Sequence, residues 1–312
     1  MSYSSDAKLE MINVEVKRKC CKTAEFHGIL SFLAKIKNEN GEMCLVCNTE
    51  NEMLSKRIIE AFAFLYKIKA ECEIIHQKHS RYYIYSVKVS GKKNIEKIFS
   101  CLNIVQSEDD DTEYYVDETP CDKPCCKKSF VRGAFLASGS IIHPEKKYHM
   151  EFYTYHKSVG DNFDALMKEL GLNPKIILRK KSYVIYFKNS DEIADILSMT
   201  GVFDTLMDFH NIRIMKDMRN KNNRIINCET ANMEKTHMAA IEHILSIQKL
   251  KKSSKWDGLS PVLKEIAELR LEYKEASLKD LGEMFTPKLT RSGVNHRLKR
   301  LVEIAKNLEG DE

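Results

Sequence analysis

Cysteine is the residue type in this chain best suited to metal or redox chemistry. Ten are present, at positions 20, 21, 44, 47, 72, 101, 121, 125, 126 and 228. Cys44 and Cys47 form a CxxC, and Cys121, Cys125 and Cys126 form a second cluster, so a tetrahedral zinc site is the chemistry to weigh. The segment EMCLVCN, which carries the CxxC, has the pattern of a strand. Residues three apart on a strand point to opposite faces, and no turn separates the two thiols. The expectation is reduced, buried, mildly hydrophobic cysteines with no bound metal. The ten histidines show no HExxH spacing, and neither GxGxxG nor GxxxxGKS/T occurs. Spacing proposes no Ser-His-Asp or Cys-His arrangement. No catalytic residue and no cofactor are expected.

The clearer chemistry is binding. Residues 286–302 hold five basic side chains, Lys288, Arg291, Arg297, Lys299 and Arg300, and no acidic one. The whole chain, with 50 Lys and Arg against 45 Asp and Glu, has the same net charge of +5. Val294, Leu298 and Leu301 recur at helical spacing and define a buried stripe. At 100° per residue the opposite face carries Ser292, Asn295, His296 and Lys299, with Arg291 near the start. These side chains suit base edges and phosphates in a major groove, so a DNA-reading helix is expected. No His or Cys stands three or four residues from His296, which makes it a base or phosphate contact rather than a metal ligand.

Other elements must position that helix. Thr290 can cap it, and residues 286–289 (TPKL) form the turn before it. Ser277, with Asp280 three residues on, can cap a short helix bearing Leu278, Leu281 and Phe285. Ser260 and Pro261 suit the start of a further helix whose apolar face is Val262, Ile266 and Leu269. Upstream, residues 233–250 read as a helix with Met238, Ile241 and Leu245 on one side. KKSSKWDG at 251–258 reads as a polar hinge. Residues 211–235 read as a polar, Asn-rich connector with six basic residues against three acidic. Arg213, Lys216, Arg219, Lys221 and Arg224 are candidates for phosphate contact there, with salt bridging between domains as the competing role.

Composition sets the frame. A chain of 312 residues with 43% hydrophobic residues has room for two or three domains and a sizeable core. No apolar run approaches the roughly 18–20 residues that span a bilayer. The N-terminus, MSYSSDAKLE, lacks the apolar stretch of a secretory signal. A soluble cytoplasmic protein is the expectation.

The chain also repeats itself. CCKTAEFHGIL at 20–30 recurs as CCKKSFVRGAF at 125–135, an offset of 105 residues, with Gly28 and Gly133 in register. Each copy precedes a strand-like run (42–48, then 148–154) and a helix. Two alternating strands (70–76 and 81–89, then 174–180 and 182–188) and a closing helix follow. Each half is an α+β unit of about 100 residues. Between them, residues 107–118 (SEDDDTEYYVDE) carry seven acids and read as a solvated linker. Gly inside a helix costs about 0.5–1 kcal/mol relative to Ala, so Gly28 and Gly133 imply two helices that approach closely along a pseudo-twofold axis.

These residues resemble the LAGLIDADG homing-endonuclease fold, in which two such helices pack at the domain interface; RGAFLASGS at 132–140 fits its motif. That family places a metal-binding acid near the motif end. Counted from the glycine, those positions are Leu33 and Ser138 here, so the resemblance implies a degenerate, non-cleaving domain. RGAFLASGSI at 132–141, RIMKDMRNKNNRIINCETAN at 213–232 and ASLKDLGEMFTPKLTRSGVNHRLKRL at 276–301 resemble the WhiA family more closely, over nearly the whole chain. The resemblance implies an α+β, pseudo-dimeric LAGLIDADG-like domain of two αββαββα-like repeats, followed by an all-α helix-turn-helix domain. It implies a transcriptional regulator linked to cell division, chromosome segregation and sporulation. Duplex DNA would be its partner, with another transcription regulator or RNA polymerase as a protein partner. It would act as a nucleoid-associated monomer.

The expected domains are 1–106, 107–225, 226–257 and 258–312. Two rival functions stand beside the regulator. One is a protein-interaction module with incidental DNA contact. The other is an active endonuclease that uses displaced carboxylates such as Glu25 or Glu151.

Overall fold

The computed structural model describes residues 2–39, 42–76, 83–107, 113–120 and 122–308. The chain divides into two compact units, Met1–Lys216 and Asp217–Glu312.

At the centre of the first unit, α2 (Lys19–Leu33) packs against α5 (Pro124–Ser138). Pro124 occupies the first turn of α5, where a missing N–H costs nothing. Gly28 and Gly133 are what let the two backbones touch. A Cβ on Gly28 would run into the carbonyl oxygen of Phe130, and one on Gly133 into that of Glu25. Beyond those carbonyl groups, the added atom would lie 3.1 Å from Ala134 N at Gly28 and 3.1 Å from Ile29 N at Gly133. These pairs exchange under the 105-residue offset, so the sequence repeat is a pseudo-twofold axis in space.

Each repeat wraps its own sheet around this pair. In the first, α2 leads into β1 (Ala34–Glu39), β2 (Glu42–Thr49), α3 (Glu52–Ala61), a π-helical turn at Phe62–Tyr66, β3 (Glu71–His76), β4 (Tyr83–Val89) and α4 (Lys92–Cys101). In the second, α5 leads into β7 (Ser140–Ile141), β8 (Met150–Thr154), α6 (Lys157–Glu169), β9 (Lys175–Arg179), β10 (Ser182–Phe187) and α7 (Ser190–Thr200). Both are αββαββα. Short strands β5 (Ile104–Gln106) and β6 (Glu113–Val116) extend the first sheet to the order β3-β4-β2-β1-β6-β5. The second sheet runs β7-β8-β10-β9, and all pairings are antiparallel. Phe26, Phe62, Phe135, Phe152, Phe163 and Phe187 fill one continuous core under both sheets.

The segment between the repeats is not a solvated linker throughout. Glu113–Val116 pairs with β1, Lys35 opposite Tyr115, and Tyr115, Val116 and Asp117 are buried. Tyr114, Tyr115 and Val116 have the β-branched and aromatic character that suits a strand, and this outweighs the flanking acids. Asp117 Oδ1 accepts a bond from Asn162 Nδ2 (3.0 Å), and Tyr115 Oη lies 2.8 Å from Ser158 Oγ, so the segment ties α6 to the first sheet. The polar N-terminus also has structure, as α1 (Tyr3–Asn13), with Ser2 as its cap.

A single helix, α8 (Phe203–Lys251), fills the stretch read as a connector and runs through the expected domain break at 225/226. The sequence from 203 to 251 contains no Pro or Gly, so nothing stops the helix. The division between the two compact units falls within it, after Lys216. Among the described residues no helix is both long and apolar enough to cross a membrane.

Candidate nucleic-acid interface

In the second unit, α9 (Pro261–Glu272), α10 (Leu278–Glu283) and α11 (Arg291–Lys306) pack around Ile266, Leu281, Phe285, Val294, Leu298 and Leu301. Their start signals act to different degrees. Ser277 and Asp280 complete a reciprocal capping box on α10, and Thr290 Oγ1 accepts the Gly293 amide at 3.2 Å on α11. Ser260 occupies the cap of α9 but makes no side-chain bond there. The buried line of α9 is Ile266, Ala267 and Arg270; Val262, expected on the apolar face, is exposed. At the turn, a Cβ on Gly282 would meet the Leu289 carbonyl oxygen, and the Leu289 amide closes back onto Gly282 O at 2.9 Å. That close approach fixes where α11 begins.

Helix α11 presents two distinct faces. Val294, Leu298 and Leu301 are fully buried. Arg291, Ser292, His296, Lys299 and Arg300 are exposed, Asn295 and Arg297 are half-buried, and Lys288 is exposed in the preceding turn. Two of the cations have local partners: Arg297 donates to Gly293 O (3.0 Å), and Arg300 pairs with Glu303 (3.2 Å) in an exposed i,i+3 bridge. The latter is worth well under about 1 kcal/mol and yields readily to a phosphate. Arg291 and Ser292 stand in the first turn, where the helix dipole and its amides favour an anion.

Two residues that sequence reasoning did not single out hold this arrangement. Arg270 is buried, and its Nη1 donates to the carbonyls of Lys274 (3.2 Å) and Ala276 (2.8 Å), closing the chain between α9 and α10. The signal was a lone cation one turn past Ile266 on an apolar face. His243 of α8 is also buried, with no hydrogen-bond partner for Nδ1 among the described residues. Burial pushes its pKa below the ordinary value and the Arg270 charge pushes it further. A histidine held neutral in the fold takes up a proton in the unfolded chain first. Stability is therefore undiminished above the ordinary histidine pKa and is lost as pH falls below it. The expected result is that the second transition of the whole chain, followed by calorimetry, falls more between about pH 7 and about pH 5 than it does in His243→Gln. Parallel pH curves would contradict this role.

His243 is also part of the buried stripe of α8 in this unit. The buried positions of α8 in this unit are His243, Ile247 and Leu250, whereas Met238, Ile241 and Leu245, which share one side of the helix as expected, are exposed. Both sets keep helical spacing, and the one that meets the core includes the histidine.

The basic residues of α8 divide. In the first unit, Arg213 pairs with Asp191 (2.6 Å), and Lys216 donates to Pro144 O (3.0 Å) and lies over the Tyr148 ring. Both are engaged within their own unit, not between domains. Arg219, Lys221 and Arg224 are exposed.

At the ends of the central helices of the first unit stand Leu33, half-buried, and Ser138, buried with its hydroxyl toward Ala134 O. Glu25 is deep in the fold, held by Arg57 and Arg132 at 2.6 Å each. Arg57 also reaches Ile12 O (2.7 Å), and Arg132 reaches Thr200 O (3.2 Å). Glu151 lies 3.0 Å from His149 Nε2 and 3.4 Å from Ser140 Oγ. The cysteines are not grouped as the sequence suggests. Cys125 and Cys126 meet Cys20 and Cys21, the four sulfurs lying within 4.8 Å of one another. Cys121 lies outside the described residues. Cys44 and Cys47 are buried in β2, where burial pushes the Cys47 thiol up to about 12.

Three family descriptions match consecutive parts of the chain: the WhiA N-terminal LAGLIDADG-like domain over residues 19–105, the WhiA LAGLIDADG-like domain over 127–219, and the WhiA C-terminal HTH domain over 222–305. A "Probable cell division protein WhiA" of Ruminiclostridium cellulolyticum is 40% identical over 309 residues, covering 99% of this chain and 98% of its own. One of Alkaliphilus metalliredigens is 37% identical over 316 residues, with 99% of each covered. Among solved structures, full-length DUF199/WhiA from Thermatoga maritima aligns with a TM-score of 0.58 at 22% identity, over 98% of this chain and 99% of its own, and supports the fold. The chain belongs to the WhiA family: a two-repeat LAGLIDADG-like domain followed by a helix-turn-helix domain.

Proposed function

We propose that this protein is a non-enzymatic, DNA-binding transcriptional regulator tied to cell division, and that it reads duplex DNA through α11. The observation that carries this reading is the pairing on one capped helix of a fully buried apolar stripe (Val294, Leu298, Leu301) with an exposed cationic and hydrogen-bonding face. The names of the relatives, probable cell division proteins, support the setting. Arg219, Lys221 and Arg224 would add phosphate contacts without sequence information.

The central helices support a non-cleaving role. Metal-assisted phosphodiester cleavage needs carboxylates at the metal. Leu33 and Ser138 stand at the motif positions, Glu25 is bound to two guanidinium groups, and Lys8 shares the cavity beside Leu33, Leu136 and Ala137.

Duplex binding by the whole chain, followed by fluorescence anisotropy, should weaken steeply with salt. The expected slope of log K against log salt is about −3 or steeper, from three or more neutralised phosphates at about 0.9 each. Supercoiled plasmid incubated with the same protein and Mg²⁺ or Mn²⁺ should stay intact. A slope near zero would remove the DNA-binding reading, and stoichiometric nicking abolished by Glu151→Gln would restore the nuclease.

A further inference from the structure

The four sulfurs gathered at the pseudo-twofold axis are not used by anything above. Cys20 and Cys21 are the second and third residues of α2, and Cys125 and Cys126 are the second and third of α5. The 105-residue repeat therefore makes the two pairs equivalent, and the close helix packing at Gly28 and Gly133 carries them onto one another. Cys21 and Cys126 are buried, while Cys20 and Cys125 are half-buried and leave a route to solvent.

We propose that Cys20, Cys21, Cys125 and Cys126 form a four-thiolate structural site for one Zn²⁺ ion, which clamps the two repeats together at the start of their central helices. A tetrahedral Zn–S bond of about 2.3 Å places sulfurs about 3.8 Å apart. The observed sulfurs, all within 4.8 Å of one another, reach that distance by shifts of about 1 Å or less, within the range of side-chain rotation. Binding forms four Zn–S bonds and releases four thiol protons to solvent, leaving a site of charge −2. The surroundings suit that charge. Both helices direct their positive N-terminal ends at the cluster. Arg18, Lys19, Lys22, Lys123, Lys127 and Lys128 flank the two cysteine pairs in sequence, and Arg18 Nη1 lies 3.9 Å from Cys125 Sγ.

The sequence expectation of no metal came from reading each cluster along the chain. CxxC on a strand is indeed poor geometry for one ion. The ligand set here is assembled from two vicinal pairs about a hundred residues apart, each of which alone offers half a site.

The test uses the untagged, full-length protein purified from zinc-supplemented cells. Elemental analysis should find about one zinc per chain, and cobalt exchange should give the sulfur-to-cobalt charge-transfer and ligand-field bands of a tetrahedral tetrathiolate. Cys20→Ser/Cys125→Ser, which changes the two less buried thiols, should weaken zinc binding at least about tenfold, whereas Cys72→Ser/Cys228→Ser, at exposed thiols elsewhere, should retain both signals. If the first variant does not fold, the wild type still decides: a strong chelator should lower its Tm by about 5 °C or more, restored by zinc. Three results would each overturn the proposal. One is a zinc-replete protein without stoichiometric metal. Another is a disulfide within the tetrad, seen by mass spectrometry in freshly isolated protein. The third is iron with inorganic sulfide in place of zinc.

Discussion

Glu25→Gln should lower the stability of the first unit by about 3–5 kcal/mol, the cost of removing one partner from a buried charge cluster. Glu25 is 3% exposed and accepts bonds from Arg57 and Arg132. Those guanidiniums link α2, α3 and α5 and also reach the backbone at the ends of α1 and α7. The glutamine keeps the volume and loses the charge, so the buried Arg132 and the half-buried Arg57 are left facing a neutral amide. Urea unfolding of the whole chain measures the effect on the first unit's transition. The same physics predicts partial recovery in Glu25→Met/Arg57→Met/Arg132→Met, because an apolar replacement of a whole buried cluster is often tolerated. A loss below about 1 kcal/mol in the single variant would show that the triad does not hold these helices.

The second large effect is expected at the helix crossing. Gly133→Ala places a methyl group against the Glu25 carbonyl oxygen and 3.1 Å from Ile29 N. These are backbone atoms of a packed helix, which no rotamer change can move aside. The helices must separate, opening the core that both repeats share, at a cost of about 3 kcal/mol or more. Gly28→Ala should behave alike through Phe130 O. The control is Gly171→Ala, where φ is +83° and an added Cβ would meet nothing within 4 Å among the described residues. That change should cost only about 1 kcal/mol, from the left-handed backbone. Equal losses at Gly133 and Gly171 would mean that conformation, not close approach, explains the central glycine.

What the sequence disclosed follows from which signals are local. The offset of 105 residues revealed the pseudo-dimer, because equivalent helices, strands and glycines each carry a short pattern that can be compared in register. The helix-turn-helix was legible because Ser277, Asp280 and Thr290 are caps whose effect stays within one turn, and because Val294, Leu298 and Leu301 keep a helical period. Features decided by distant partners were not legible. Tyr115 and Val116 have strand character but sit in an acidic segment, and the β1 edge that pairs with their strand is distant in sequence. Arg132 has no acidic partner nearby in its motif, and only the fold brings Glu25 to it. His243 and Arg270 read as polar positions but lie inside a helical core. The four cysteines belong to two segments whose meeting follows from the axis and from neither segment alone.

The central claim is that α11 is the DNA-reading element, and the most direct measurement is anisotropy of full-length protein on duplex DNA across a salt series, with Arg291→Ala/His296→Ala in parallel. Both side chains are exposed, and neither belongs to the buried stripe, so the fold should be kept. The account predicts weaker binding by roughly 1–3 kcal/mol per lost base contact, with a shallower salt slope from the missing arginine. Unchanged affinity and slope in a folded variant would contradict it and would move DNA contact away from the helix-turn-helix.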